Sequence, residues 1–303
     1  MHARTIRSLV AAAAILPAAS SLAQTNSFTI SDGSATFSLD NLRVSRTASN
    51  SGTGSFSTGA PATNHMYQNW FWLSAGTDTR EYALSNQTYA STLGTNAQVL
   101  EYLEPANNGA VPGALKVRLD YTLHDLATSA GRSDEALLII TFQITNRLPT
   151  QLANIQFYHY ADFDAAGGSA GDSALIRGDN NQTQVISDAG TAAQLPARID
   201  YSVSSAAHLG YQMGVYPTIR NLLTDSALSG LSSAGSPMVG SDYSGANQWW
   251  VLALGPAGGG QDTFTGSVSI HITTKCKADF NESGSLEVQD IFDFLGAWFA
   301  GCP

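Results

Sequence analysis

Charge is scarce in this chain, and positive charge is scarcest: 13% of the 303 residues are charged, with Lys and Arg at 14 against 24 for Asp and Glu. No Lys/Arg cluster exists to neutralise phosphates, so nucleic acid and anionic membrane surfaces are poor partners for it. The net charge of -10 is compatible with divalent cations instead. Cysteine is limited to Cys276 and Cys302, both in the last segment. No Gly-x-Ser-x-Gly elbow, zinc-binding helix, nucleotide loop or Cys/His pairing occurs, which argues against hydrolases that rely on a Ser or Cys nucleophile or on zinc. Long apolar runs are missing after the first residues, so no membrane span is expected in the mature chain.

What is present begins with a targeting segment. His2, Arg4 and Arg7 precede an apolar run from Leu9 to Leu16, and then come Ala18, Ala19, Ser20, Ser21, Leu22 and Ala23. The run is shorter than the roughly 20 residues of a spanning helix, and small residues stand at Ser21 and Ala23. The segment 1–23 therefore reads as a signal peptide cleaved after Ala23, which sends the protein to the cell surface or the extracellular space.

From residue 24 to 275 the chain reads as one all-β domain, an antiparallel two-sheet sandwich. Apolar residues recur at period two in short runs bounded by Gly, Asn, Asp and Pro. Phe28 to Ile30 and Ala35 to Leu39 flank Asp32-Gly33 as an expected hairpin. Further runs cover 69–73, 99–103, 115–123, 137–145, 155–160, 199–203, 249–254 and 264–272, without alternating helices. The best helical stretch begins at Thr218, and the polar stretch Ala48 to Thr63 reads as an exposed loop.

The tail, 276–303, carries the most specific pattern. Asp279, Asn281, Ser283, Ser285 and Asp290 stand at positions 1, 3, 5, 7 and 12 of a loop with Gly284 at position 6. Calcium takes six to eight oxygens, and this spacing wraps one chain around one ion while the glycine makes the sharp turn. Ser285 would give its backbone carbonyl and the others their side chains, with Glu287 acting through water. Val288, Ile291, Phe292, Leu295, Trp298 and Phe299 then follow at helical spacing, as a half EF-hand requires. In an exported chain, Cys276 and Cys302 bracketing this unit read as a disulfide. Closing a loop of about 25 residues contributes roughly 3 kcal/mol.

The tail, with Ala278-Asp279-Phe280-Asn281, Asp290-Ile291-Phe292-Asp293-Phe294-Leu295, Ala297-Trp298-Phe299 and Gly301-Cys302, resembles the GC-type dockerin tails of bacterial exported proteins. The resemblance implies a C-terminal module that sorts or tethers the domain in front of it through a surface or scaffold receptor. Type I dockerins carry two such loops and dock onto cohesins; only one loop stands here.

In the large domain, Asp162, Asp164 and Asp172 stand beside a glycine-rich turn. They read as turn-capping acids, as ligands of a second divalent cation, or as paired catalytic carboxylates. His159 reads as a packed strand residue. Trp70-Phe71-Trp72 and Trp249-Trp250 invite a carbohydrate platform, although neighbours on a strand point to opposite sides. The expectation is a non-catalytic extracellular sandwich protein held by a calcium-stabilised tail. The alternative is a carbohydrate-active enzyme of the glycoside hydrolase type, or a glycan-binding accessory protein in polysaccharide breakdown.

Overall fold

The structure, a computed structural model, describes residues 24–59, 62–126, 135–169, 171–177, 183–188, 196–204, 207–233, 238–274 and 287–299. The segment 1–23, both cysteines, and the loop residues Asp279, Asn281, Ser283 and Ser285 lie outside them. Among the described residues no helix is long and apolar enough to cross a membrane.

In chain order the first strands are Ser27–Asp32 (β1), Ala35–Asp40 (β2), Thr53–Thr58 (β3), Thr63–Asn64 (β4), Met66–Ser74 (β5), Tyr82–Ala83 (β6), Gln87–Thr92 (β7), Ala97–Ala106 (β8) and Val111–Asp125 (β9). They continue with Glu135–Asn146 (β10), Leu152–Phe163 (β11), Asp172–Ile176 (β12), Gln184–Asp188 (β13), Ala197–Ser204 (β14), His208–Val215 (β15), Met238–Ser241 (β16), Tyr243–Leu254 (β17) and Thr263–Thr274 (β18). Helices cover Thr218–Thr224 (α1) and Val288–Phe299 (α2). Two nine-stranded antiparallel sheets result. The first runs β1-β2-β3-β5-β11-β17-β15, with β4 on β3 and β6 on β5; the second runs β16-β12-β13-β14-β18-β10-β9-β8-β7.

The second sheet is built by simple alternation. Ala136, Leu138, Ile140, Phe142 and Ile144 of β10 are buried toward the first sheet, as are Leu115, Val117, Leu119, Tyr121 and Leu123 of β9. Its other face is polar and wet, with the pairs Arg118–Asp120, Lys116–Glu101 and Arg198–Asp200 half-exposed. Phe142 anchors the inter-sheet core, packing against Phe71, Phe157, Trp249 and Phe264.

The first sheet is covered on both faces along β5, β11 and β17, whose residues 68–74, 157–163 and 243–249 are all buried. Its outer face is roofed by loops: Trp70 Nε1 donates to Leu84 O at 3.2 Å, Gln68 Nε2 to Ser51 O at 2.6 Å, and Tyr158 Oη to Ser229 O at 2.6 Å. Double burial explains the aromatic runs, and it corrects the platform reading. Trp70, Trp72 and Trp249 are core residues, and of these tryptophans only Trp250 is exposed, at 46%.

Two local expectations change. The hairpin turn is Gly33-Ser34, because Asp32 pairs with Ala35 and Gly33 takes φ +52°. The polar stretch 48–63 contains β3, which pairs with β2 and buries Phe56 in the core.

Candidate functional site

At one end of the sandwich two of the links between the sheets carry aspartate. β11, in the first sheet, ends at Phe163, and the chain reaches β12 of the second sheet at Asp172. The return from β16 to β17 is the single residue Asp242. Asp172 pairs with Ser241, while Asp162 pairs with Ser244. The two crossings therefore bring Asp162, Asp164, Asp172 and Asp242 to one place.

Asp162 and Asp164 do not share a strand face by simple alternation, because the register shifts between Asp162 and Phe163 against β5 and the strand ends there. Asp164 opens a one-turn 3-10 helix at Ala165–Gly167 without a side-chain capping bond, and its backbone amide donates to His65 O at 3.0 Å. Of these carboxylates, Asp172 meets the backbone of the turn, at the Ala165 amide, as a turn-capping acid would. Asp162 Oδ1 and Asp242 Oδ1 are buried without a hydrogen-bond partner among the described residues, and both Asp172 oxygens are buried, with the Ala165 amide beside them. Asp162 is 2% exposed and Asp172 0%.

Burial and mutual repulsion make these groups weak acids. Asp162 is pushed up to about 8, first by burial and then by Asp242 and Asp164, with Arg220 offsetting part of the rise. Asp172 is likewise pushed up to about 8, by burial and then by Asp188, with the Ala165 amide offsetting part. Asp242 rises to about 6 through burial and Asp164, and burial raises Asp164.

Beside Asp162, on the outer face of the first sheet, lies a polar patch. The β11–β17 register sets Ser244 directly opposite Asp162 and Ala246 opposite Tyr160, which places Tyr160, Asp162 and Ser244 on one face. Tyr160 Oη, Ser244 Oγ and Arg220 Nε are buried; the Tyr160 and Ser244 hydroxyls face each other, and Arg220 Nε has no hydrogen-bond partner among the described residues. Arg220 comes from α1, which buries Ile219 and Leu223 one turn apart. Gly214, opposite Ser244, lets α1 lie down on the sheet, since a Cβ there would come within 3.1 Å of Ile219 Cδ1. Arg220 Nη1 donates to Tyr216 Oη at 2.5 Å. Tyr216 stands edge-on to Tyr67 at 6.2 Å, and Tyr67 is 48% exposed, so two tyrosines rim the patch.

His159 faces the other way, into the core. Its Nδ1 lies 2.7 Å from Tyr201 Oη, and burial lowers its pKa to about 3, which keeps it a neutral packed residue. Sequence reasoning did not find Tyr160, Arg220, Asp242 or Ser244. The only local signal was the turn-like Ser241-Asp242 before a buried strand, and pairing across sheets leaves no mark on the sequence. As the side chains stand, no three His, Cys, Asp or Glu groups among the described residues converge closely enough to hold an ion.

In the tail, α2 covers the expected helix, and Asp290 is buried with Oδ2 accepting the Glu287 amide at 2.8 Å. Val288, Ile291, Phe292 and Leu295 are exposed.

No family model matches the chain, and no curated protein does. Among solved structures, it is similar to a bacterial glucoamylase complexed with acarbose, at 11% identity and TM-score 0.45 over 89% of this chain and 35% of that one. A putative aldose 1-epimerase from Escherichia coli K12 shares 10% identity at TM-score 0.39, covering 81% of this chain and 98% of that one. A family GH92 alpha-mannosidase from Bacteroides thetaiotaomicron shares 14% identity at TM-score 0.35, covering 79% and 30%. The chain thus spans about a third of the glucoamylase and mannosidase chains. Scores this low leave the site to be read from its own residues.

Proposed function

We propose that this chain is an exported β-sandwich protein that binds an uncharged polysaccharide at the Asp162 end of its first sheet, and that its calcium-loop tail tethers or sorts it at the cell surface. One observation carries the binding reading. Arg220 Nε, Asp162 Oδ1 and Asp242 Oδ1 are buried without a hydrogen-bond partner among the described residues, beside the buried Tyr160 and Ser244 hydroxyls, around one patch beneath a tyrosine rim. Each orphaned buried polar group costs about 1–3 kcal/mol, so the arrangement calls for a ligand dense in both donors and acceptors. Sugar hydroxyls supply both, and the exposed ring of Tyr67 offers an apolar face to a pyranose. A polyanion is disfavoured by the surrounding carboxylates.

Affinity electrophoresis of residues 24–303 through gels containing different neutral polysaccharides tests the reading. At least one gel should retard the wild type but not Tyr67→Ala. Equal mobility of the two proteins in every gel would remove the patch as a glycan site.

Hydrolysis is a second reading, favoured by one observation. Burial and like charges hold Asp162 at about 8 and Asp242 at about 6, so one carboxyl keeps its proton near neutral pH while the other is mostly ionised. Reducing ends released from the retained polysaccharide, and lost in Asp162→Asn, would support it. Retention without release leaves a binding protein.

For the tail, the supporting facts are the loop spacing in the sequence and the exposed apolar residues of α2, which call for a partner. If the calcium loop tethers the chain, Asp279→Ala with Asp290→Ala shifts the protein from the cell-surface fraction to the medium.

A further inference from the structure

The sandwich has a seam between β1, the end strand of the first sheet, and β7, the end strand of the second. At one end of the seam Ser31 N donates to Thr95 O at 2.8 Å. At the other end the first described residues hold it: Gln24 Nε2 donates to Gln87 O at 2.6 Å, and Thr25 N donates to Gln87 Oε1 at 2.7 Å. Gln87 belongs to β7 and is buried, with Nε2 donating to Tyr102 Oη at 3.4 Å, so the anchor is fixed. Gln24 itself is exposed. Between these ties lies a cavity of about 330 Å³ lined by Gln24, Phe28, Ala90 and Thr92, which leaves room around the Gln24 side chain. Small residues at Ser21 and Ala23 put the export cleavage after Ala23. The residue that staples the seam is then also the one whose α-amine the cut frees.

We propose that Gln24 is a modification site: as the N-terminus of the exported chain it closes to pyroglutamate, a step that rests on the export reading and goes beyond it. The freed α-amine attacks Cδ of its own side chain. A C–N bond forms, the bond from Cδ to Nε2 breaks, and Nε2 leaves as ammonia with a proton from the amine, so no oxidant or co-substrate is consumed. Glutamine has the chain length for a five-membered lactam, whereas asparagine would need a strained four-membered ring. The lactam keeps one N–H, which takes over as donor to Gln87 O, and the Thr25 amide keeps its bond to Gln87 Oε1. The product carries no terminal charge and offers no α-amine to an aminopeptidase. Chain termini are where proteolysis concentrates, so the ring protects the staple of the seam where extracellular peptidases act.

Mass spectrometry of the full chain, expressed with its leader and collected after export, tests it. Amines are dimethylated at once, before digestion, so that no ring forms during handling. The wild type is expected to give an N-terminal peptide that begins at Gln24, carries no label at its α-nitrogen and is lighter than the open form by one ammonia. Pyroglutamyl peptidase should then remove that residue from the peptide and leave Thr25 first. Gln24→Asn, which keeps a side-chain amide but cannot close the lactam, is expected to take the label on its α-amine and to be trimmed by an aminopeptidase that leaves the wild type intact. A labelled, open Gln24 in the wild type overturns the cyclisation and leaves the cleavage after Ala23 standing. A wild-type chain that begins at any other residue overturns the proposal through the cleavage itself. Both results are read on the wild type, whether or not the variant folds.

Discussion

At the scale of single residues, the acidic end stores a pH dependence whose sign follows from burial. In the unfolded chain aspartates ionise near pH 4, whereas folded Asp162 and Asp172 keep their protons to about 8. Across that window the native state holds more protons, so these groups lower stability as pH rises. The buried histidines oppose this below about pH 6.5, because His65, lowered to about 4, and His159, lowered to about 3, must stay neutral in the fold. Above that pH the acids act alone. The other groups around them are Asp164, Asp188, Asp242, Tyr160, Tyr216 and Arg220. In EDTA, the melting temperature is therefore expected to fall between about pH 6.5 and about pH 8.5, and to fall less in Asp162→Asn and Asp172→Asn. A wild-type profile that stays flat or rises across this range would show that the acids are not held as described.

At the scale of elements, the aromatic seam between the sheets supplies the sharpest stability test. Phe142 touches four other aromatic rings and is fully buried, so Phe142→Ala should cost about 3–5 kcal/mol. Gly266 of β18 faces the same ring: a Cβ there would come within 2.4 Å of Phe142 Cζ, and Gly266→Ala should cost about 1–3 kcal/mol through overpacking. Urea denaturation measures both, and a Gly266→Ala variant as stable as the wild type would contradict the packing. The alternation of Leu, Ile and Phe in β9, β10 and β18 made these strands legible in the sequence, because one face is wet and the other dry. β5, β11 and β17 were legible as strands, but not what their tryptophans do, since loops roof their outer face. β3 was read as a loop because its Ser, Gly and Thr carry little apolar contrast around Phe56. The short strands β12, β13 and β16 are too brief for periodicity to speak.

At the scale of the whole molecule, function is assigned to the end where the chain changes sheets. The Asp162, Asp164 and Asp172 part of that end was visible as acids beside glycines in one stretch of sequence. Arg220, Asp242 and Ser244 arrive from α1, from the β16–β17 link and from β17, and only the fold brings them to Asp162. The saccharide-binding claim is tested most directly by calorimetric titration of residues 24–303 with the polysaccharide that retards it in gels. Wild type, Tyr67→Ala, Ser244→Val and Trp250→Ala should be compared. Tyr67→Ala and Ser244→Val are expected to lose about tenfold or more in affinity, worth about 1.4 kcal/mol each. Trp250→Ala, exposed on the same sheet but paired with Gln156, away from Asp162, is expected to bind as the wild type does. Binding abolished by Trp250→Ala and unchanged in Tyr67→Ala and Ser244→Val would contradict the account.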